Sequence, residues 1–260
     1  MHTMTYAHLK VHRADGVGWL EYHRPPRNAF NWEMLHEVPV ALEELLAAAD
    51  VRVIVIASAV DRYFSTGADL AVFQGMTQER LAAWVGTCHA LVRQMRAARK
   101  PLLATIHGMA VGGGLEIVLH CDVRFAAHDA ELGQPEVNIA FIPPVGGTQG
   151  LARLLGRPRA LRFLYEGGLV SAAEAKEIGL VDVVMPAGEL RAGVRDYALA
   201  LARKPASTLA AIRRCVTAGL EASFEEGLQI EFAAAVELAG HRNFAEGVNA
   251  FLAKRTPTWE

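Results

Sequence analysis

Three cysteines in 260 residues, at Cys88, Cys121 and Cys215, are too few and too widely spaced for a disulfide framework or a zinc site. That scarcity suits a reducing cytoplasm. Positive charge is not in excess either, since 26 Lys and Arg face 28 Asp and Glu. Without a broad basic field, binding to nucleic acid or to an anionic membrane has no electrostatic support, and the expected partner is a small molecule. Long apolar runs are absent too: the stretch 101–119 is interrupted by Pro101, His107 and Glu116, which excludes a membrane span. The segment Met1-His2-Thr3-Met4-Thr5-Tyr6 has no apolar core of the kind a secretory signal needs. There is no internal repeat, low-complexity tract or disordered linker.

What is present is a chain that is 52% hydrophobic and 21% charged, enough for one large core or a core with a small appendage. Short β-branched runs at Val17 to Tyr22 and Val51 to Ile56 flank a helical pattern over about 31–49. A second helical pattern over 78–97 stops before Pro101, Leu102 to Ile106 reads as a buried strand, and Gly113 opens a helix to about His120. A strand over Val123 to Ala127 continues the alternation. Beyond about 186 the strand signals end, and Glu189–Arg203, Ser207–Ala218, Ser223–Leu238 and Phe244–Lys254 read as amphipathic helices. The expected fold class is therefore α/β with a C-terminal helical appendage, whose apolar faces need cover from the core or from another subunit.

Two glutamates twenty residues apart stand out, Glu116 in Gly112-Gly113-Gly114-Leu115-Glu116 and Glu136 in Gly133-Gln134-Pro135-Glu136. A carboxylate pair in glycine-rich, mainly apolar surroundings suits acid and base work on one small substrate. The stretch Ile106 to Glu116 reads as strand, turn of small residues, then helix start, which aims free backbone N–H groups at whatever lies above the turn. No Gly-Lys-Ser/Thr follows and the G-x-G-x-x-G spacing is missing, so nucleotide phosphate is not the favoured guest. A developing oxyanion fits the same geometry, although tight packing of a helix on a sheet explains it as readily. A second such turn, Phe64-Ser65-Thr66-Gly67-Ala68-Asp69-Leu70, can supply another N–H, or is a plain loop with Asp69 near a helix start. The rigid turn Phe141-Ile142-Pro143-Pro144-Val145-Gly146-Gly147-Thr148-Gln149 leads into a further helix. Three adjacent side chains at His120-Cys121-Asp122 cannot converge on a metal, and His107 reads as a scaffold histidine.

Phe64 to Asp69, His107 to Glu116, Gly133 to Glu136, Gly146 to Gln149 and Ser171 to Asp182 occur in the order found in the crotonase, or enoyl-CoA hydratase/isomerase, superfamily, which this chain resembles over nearly its whole length. Glu246 to Arg255 looks like that family's C-terminal helix. The resemblance implies a crotonase-like spiral of ββα units over 1–200, carrying the CoA-thioester site, and a C-terminal all-helical oligomerisation region over 201–260. It implies an acyl-CoA thioester partner held by the N–H groups of Ala68 and Gly113, and a homotrimer or a hexamer built as a dimer of trimers. No cofactor is implied beyond the coenzyme A of the substrate. The resemblance implies substrate and CoA contacts at Arg27 and Ala29, at the run Ala68, Asp69, Leu70 and Ala71, and at Gly113, Phe251 and Lys254, the last two able to come from a neighbouring subunit.

Glutamate at both positions is the pattern of family members that resemble hydratases. Glu116 is then the partner of the attacking water and Glu136 the proton donor, both carboxylates also being able to hold one water in a concerted addition. The alternatives are a Δ3-Δ2-enoyl-CoA isomerase, which needs only the carboxylate at Glu136, another crotonase-type acyl-CoA lyase, and a non-catalytic acyl-CoA-binding subunit. Two departures from the family pattern bear on this. Pro144 stands where many hydratases have glycine, and proline has no N–H to offer a water. Ala71 stands where a lysine is frequent, which removes one contact to a CoA phosphate.

Overall fold

The computed structural model describes residues 5–259, so Met1 to Met4 and Glu260 lie outside the described residues. The elements are strands β1 (Leu9–Ala14), β2 (Val17–Tyr22), β3 (Val53–Ser58), β4 (Tyr63–Ser65), β5 (Leu102–Ile106), β6 (Met109–Val111), β7 (Val123–Ala127), β8 (Glu131–Gly133), β9 (Leu169–Ser171) and β10 (Val183–Met185). The helices are α1 (Trp32–Ala47), α2 (Gln78–Ala97), α3 (Gly113–Val118), α4 (Gly147–Leu155), α5 (Arg157–Glu166), α6 (Ala172–Glu177), α7 (Ala187–Ala202), α8 (Ala206–Gly219), α9 (Phe224–Ala239) and α10 (Arg242–Leu252). Single 3-10 turns cover Leu70–Phe73 and Pro135–Ile139.

Two sheets result, a six-stranded one in the order β1-β2-β3-β5-β7-β10 and a four-stranded one in the order β4-β6-β8-β9. Consecutive strands are dealt out alternately: β3, β5 and β7 enter the large sheet, and β4, β6 and β8, which directly follow them, enter the small one. That is the spiral of strand-strand-helix units expected of the fold. β3 and β5 are buried at every residue, as parallel strands covered on both faces must be, and they read as continuous apolar runs. Side chains such as Leu42, Leu45, Leu91 and Met95 from α1 and α2 join Ile54, Ile56, Leu102 and Leu103 in the core.

Residues 17–22, 78–97, 102–106 and 123–127 carry the elements expected of them, while β3 starts two residues later than the run Val51 to Ile56 suggests. The small sheet was not anticipated. Its three-residue strands are too short to show a period, and β1 escapes because an edge strand with a mostly exposed pattern, LKVHRA, looks like a polar segment. After β10 the described chain is helical, and α8 is fastened to the rest by Arg213. This buried guanidinium donates to the carbonyls of Met95, Arg96 and Ala98 at the end of α2 and pairs with Asp122. Among the described residues no helix is long and apolar enough to cross a membrane.

Candidate active site

Parallel pairing of β4 with β6 and of β6 with β8 brings the C-terminal ends of three strands to one edge of the small sheet. Each end launches one turn: Thr66 to Asp69 after β4, Gly112-Gly113 after β6, and Gln134 to Glu136 after β8. A cleft of about 510 Å3 opens over that edge, lined by Ala68, Gly113, Glu116 and Glu136 among others. The four residues assigned from sequence to the chemistry thus share one cavity.

The two glycine turns touch. Gly67 sits at φ +76, and a Cβ there would stand 2.9 Å from both the Gly113 nitrogen and the Val111 oxygen, so only glycine permits the approach. The Ala68 nitrogen lies 3.9 Å from where a Cβ on Gly113 would be. On its other side the first turn is pinned by Phe30 N–H donating to Gly67 O and Asp69 N–H donating to Phe30 O, at 2.7 and 2.9 Å. Among the described residues no hydrogen bond occupies the N–H of Ala68 or of Gly113. Two adjacent unpaired N–H groups, one at a helix start, can stabilise an oxygen that gains negative charge.

Glu116 is wholly buried on α3. Its Oε1 accepts from the N–H groups of Val145 and Gly147 at 2.6 and 2.9 Å. Oε2 is also buried and has no partner, which leaves it the open acceptor of a residue that lines the cleft. Burial, and then the charge of Glu136, push the Glu116 carboxyl well above the usual carboxylate range, against the pull of the two N–H donors. Glu136 is partly buried, and burial pushes it up too, with its own backbone N–H opposing. With its amide turned to satisfy both groups, buried Gln134 sets its nitrogen 3.2 and 3.0 Å from the two Glu136 oxygens. Two interacting carboxyl groups, both shifted toward the neutral form, titrate as a unit.

The wall beyond the carboxylates is apolar and aromatic. Phe73, Met76, Leu81, Trp84 and Phe141 line it, and Phe73 meets Trp84 edge-on at 5.4 Å between ring centres. None of these five side chains is conspicuous in sequence, where each looks like ordinary core. The loop donors Val145 and Gly147 carried one signal, the paired glycines Gly146-Gly147 before a helix.

The other assigned contacts are dispersed. Leu70 lines the cleft, whereas Asp69 accepts from Ala71 N–H at 3.2 Å and pairs with Arg24 at 3.0 Å. Arg24 also donates to Ala29 O, and Thr66 N–H donates to Arg27 O, so segments 27–30 and 66–69 run side by side at the cleft's rim. Ala71 is exposed beside them. Phe251, 83% exposed, and Lys254 lie at the end of α10 and do not line the cleft of their own chain. Pro144 does line it, and the donors to Glu116 come from the residues after it. His107 bonds Val60 O as a scaffold histidine, and Asp122 is taken by Arg213 and Leu102 N–H. Among the described residues no group of three or more His, Cys, Asp or Glu is placed to hold a metal. A larger hollow of about 930 Å3 between α2 and α8 contains Arg96 and Arg214, which are paired with Glu221 and Glu237, and none of the turns reaches it.

The chain is similar to known proteins over nearly its whole length. A probable enoyl-CoA hydratase of Bacillus subtilis is 35% identical over 248 residues, 94% of this chain and 95% of its own. A crotonyl-CoA hydratase of Syntrophomonas wolfei is 31% identical over 253 residues, 97% of each chain. The crystal structure of an enoyl-CoA hydratase from Bacillus anthracis superposes with a TM-score of 0.93 at 33% identity, over 97% of this chain and 98% of that one. A family profile described as enoyl-CoA hydratase/isomerase matches residues 12–260. Family profile, extended sequence likeness and shared fold agree, and the chain belongs to the enoyl-CoA hydratase/isomerase family.

Proposed function

We propose that the protein is an enoyl-CoA hydratase, adding water syn across the double bond of a 2-enoyl-CoA to give a 3-hydroxyacyl-CoA. The observation that carries this reading is the presence of two carboxyl groups, Glu116 and Glu136, in one cleft with two unpaired N–H groups. The thioester oxygen sits against the N–H groups of Ala68 and Gly113, which stabilise the enolate as charge moves onto it. Glu116 receives a proton from the attacking water at its open Oε2 while Glu136 gives one to C2, or both hold the same water in one concerted step. The addition needs one carboxyl group to accept a proton and one to donate it, and the cleft supplies two. The aromatic wall takes the acyl chain. Coenzyme A runs along Arg27, Ala29 and 68–71, with Phe251 and Lys254 supplied by a neighbouring chain, and no further cofactor takes part.

Residues 1–200 form the catalytic core in this reading and 201–260 the region that assembles a trimer or a dimer of trimers. The free thiols are in keeping with a reducing cytoplasm, which is the compartment proposed here. The test is loss of crotonyl-CoA absorbance with appearance of 3-hydroxybutyryl-CoA. Conversion of 3-enoyl-CoA without hydroxy product would assign an isomerase instead, and tight CoA-ester binding with no product across short, medium and branched enoyl-CoAs would leave a binding subunit.

A further inference from the structure

Pro144 takes one N–H out of the segment that holds Glu116, and two histidines from outside take hold of that segment's carbonyls. His89 on α2 sets Nε2 2.8 Å from Pro144 O. His120, just past α3, sets Nε2 3.2 Å from Val145 O. A carbonyl only accepts, so each ring presents Nε2–H. The Pro144 carbonyl and the Val145 N–H are opposite ends of one planar peptide. His89 grips one end of that plane, and the other end donates to Glu116 Oε1 at 2.6 Å. His120 grips the next plane, Val145 O with Gly146 N–H, and the plane after that bears the second donor, Gly147 N–H, at 2.9 Å from Glu116 Oε1. A Cβ on Gly146 would stand 2.8 Å from His120 Nε2, so the ring reaches its carbonyl only past a glycine. Burial pushes His120 down to about 4, so near neutrality it is an uncharged donor that places no cation beside Glu116.

We propose that His89 and His120 are positioning residues for catalysis, His89 through the peptide plane that bears the Val145 donor and His120 through the adjoining plane, one peptide before the Gly147 donor, so that both set the aim of the open Oε2 of Glu116. This rests on the hydratase reading of Glu116. Small errors of aim are costly, because displacing a reacting group by about 1 Å can lower a rate on the order of a hundredfold. For His89, the chain from its N–H to the Pro144 carbonyl and from Val145 N–H to the carboxylate also polarises along its length and strengthens the last link.

The test pairs a variant without a donor with one that restores it. His89→Leu and His120→Leu are expected to lower kcat for crotonyl-CoA about tenfold each, with KM and butyryl-CoA affinity held within about twofold. His89→Gln and His120→Gln place an amide N–H near the same point and recover most of the rate. Equal losses in the Leu and Gln variants, or unchanged kcat in both Leu variants, would overturn the proposal. A second readout does not need turnover: the infrared band of the protonated Glu116 carboxyl, assigned by its loss in Glu116→Gln, should titrate at higher pH in the Leu variants, because weaker donors favour the neutral acid. The ionisable groups around Glu116 are Glu136 from the turn after β8, Cys88 from α2 and His120, and none of these is altered in His89→Leu. If the wild-type protein hydrates no enoyl-CoA, the hydratase reading falls and the infrared titration decides, with an unmoved band overturning the positioning role.

Discussion

The edge of the small sheet and the last three helices treat apolar surface in opposite ways. At the sheet edge, Phe73, Trp84 and Phe141 form a concave wall with ionisable groups at its floor. On α8, α9 and their junction, Ile212, Val216, Leu220, Phe224 and Phe232 stand outward, Phe224 being 84% exposed, as do Phe251 and Leu252 at the end of α10. The chain exposes 13809 Å2, whereas a compact monomer of this length exposes roughly 11,000 Å2. A concave apolar wall takes a small molecule, and a convex one needs another protein surface. The cleft and the outward apolar helices are thus separated along the chain, joined through the Arg213 anchor between α8 and α2.

That separation breaks if changes in one region act in the other. The largest effect should come from Glu116→Gln and Glu136→Gln, each lowering crotonyl-CoA hydration about 10^2- to 10^4-fold, with butyryl-CoA binding by calorimetry and sedimentation behaviour as in wild type. Gly67→Val should follow, costing about 10^2 to 10^3 in kcat/KM, because its side chain drives against the Gly113 nitrogen and disturbs both oxygen donors. Circular dichroism should still report a folded chain. In the other region, Leu220→Glu with Phe224→Glu should convert an assembled species to monomer mass in sedimentation equilibrium; a mass unchanged from wild type would show that this face is not the assembly surface.

The smallest effects are on stability against pH. Glu116 has its folded pKa raised above the unfolded value, so its contribution is present below about pH 4.5 and is lost as pH rises through the folded pKa. Glu116→Gln should therefore hold its Tm on the alkaline side where wild type declines. His120 is the opposite case: lowered from 6.5 to about 4, it contributes fully above 6.5 and progressively less as pH falls toward 4. His120→Gln should flatten that acid limb by a few degrees in Tm.

Legibility in the sequence followed element length and the range of each signal. Long periodic elements such as α2 and the buried β5 were plain, because every residue in them repeats the same message. The glycine turns were plain as well, since Gly67 and Gly112-Gly113 announce a backbone that side chains would obstruct. Glu116 and Glu136 could be picked out by their glycine surroundings, but not the Val145 and Gly147 donors that hold Glu116, which are backbone groups brought in from 29 and 31 residues away. His89 was invisible for the same reason, being 55 residues from the carbonyl it grips. The three-residue strands of the small sheet have no pattern of their own, and their pairing is dictated by the long strands that precede them.

The alternate dealing of strands between the two sheets has one more consequence. Because β4, β6 and β8 each launch a separate turn, a residue inserted after β8 would displace Glu136 while Ala68 and Gly113 kept their register. The Glu136 turn is therefore editable independently of the Ala68 and Gly113 turns, whereas Glu116, three residues beyond Gly113 on α3, is tied to the second of them.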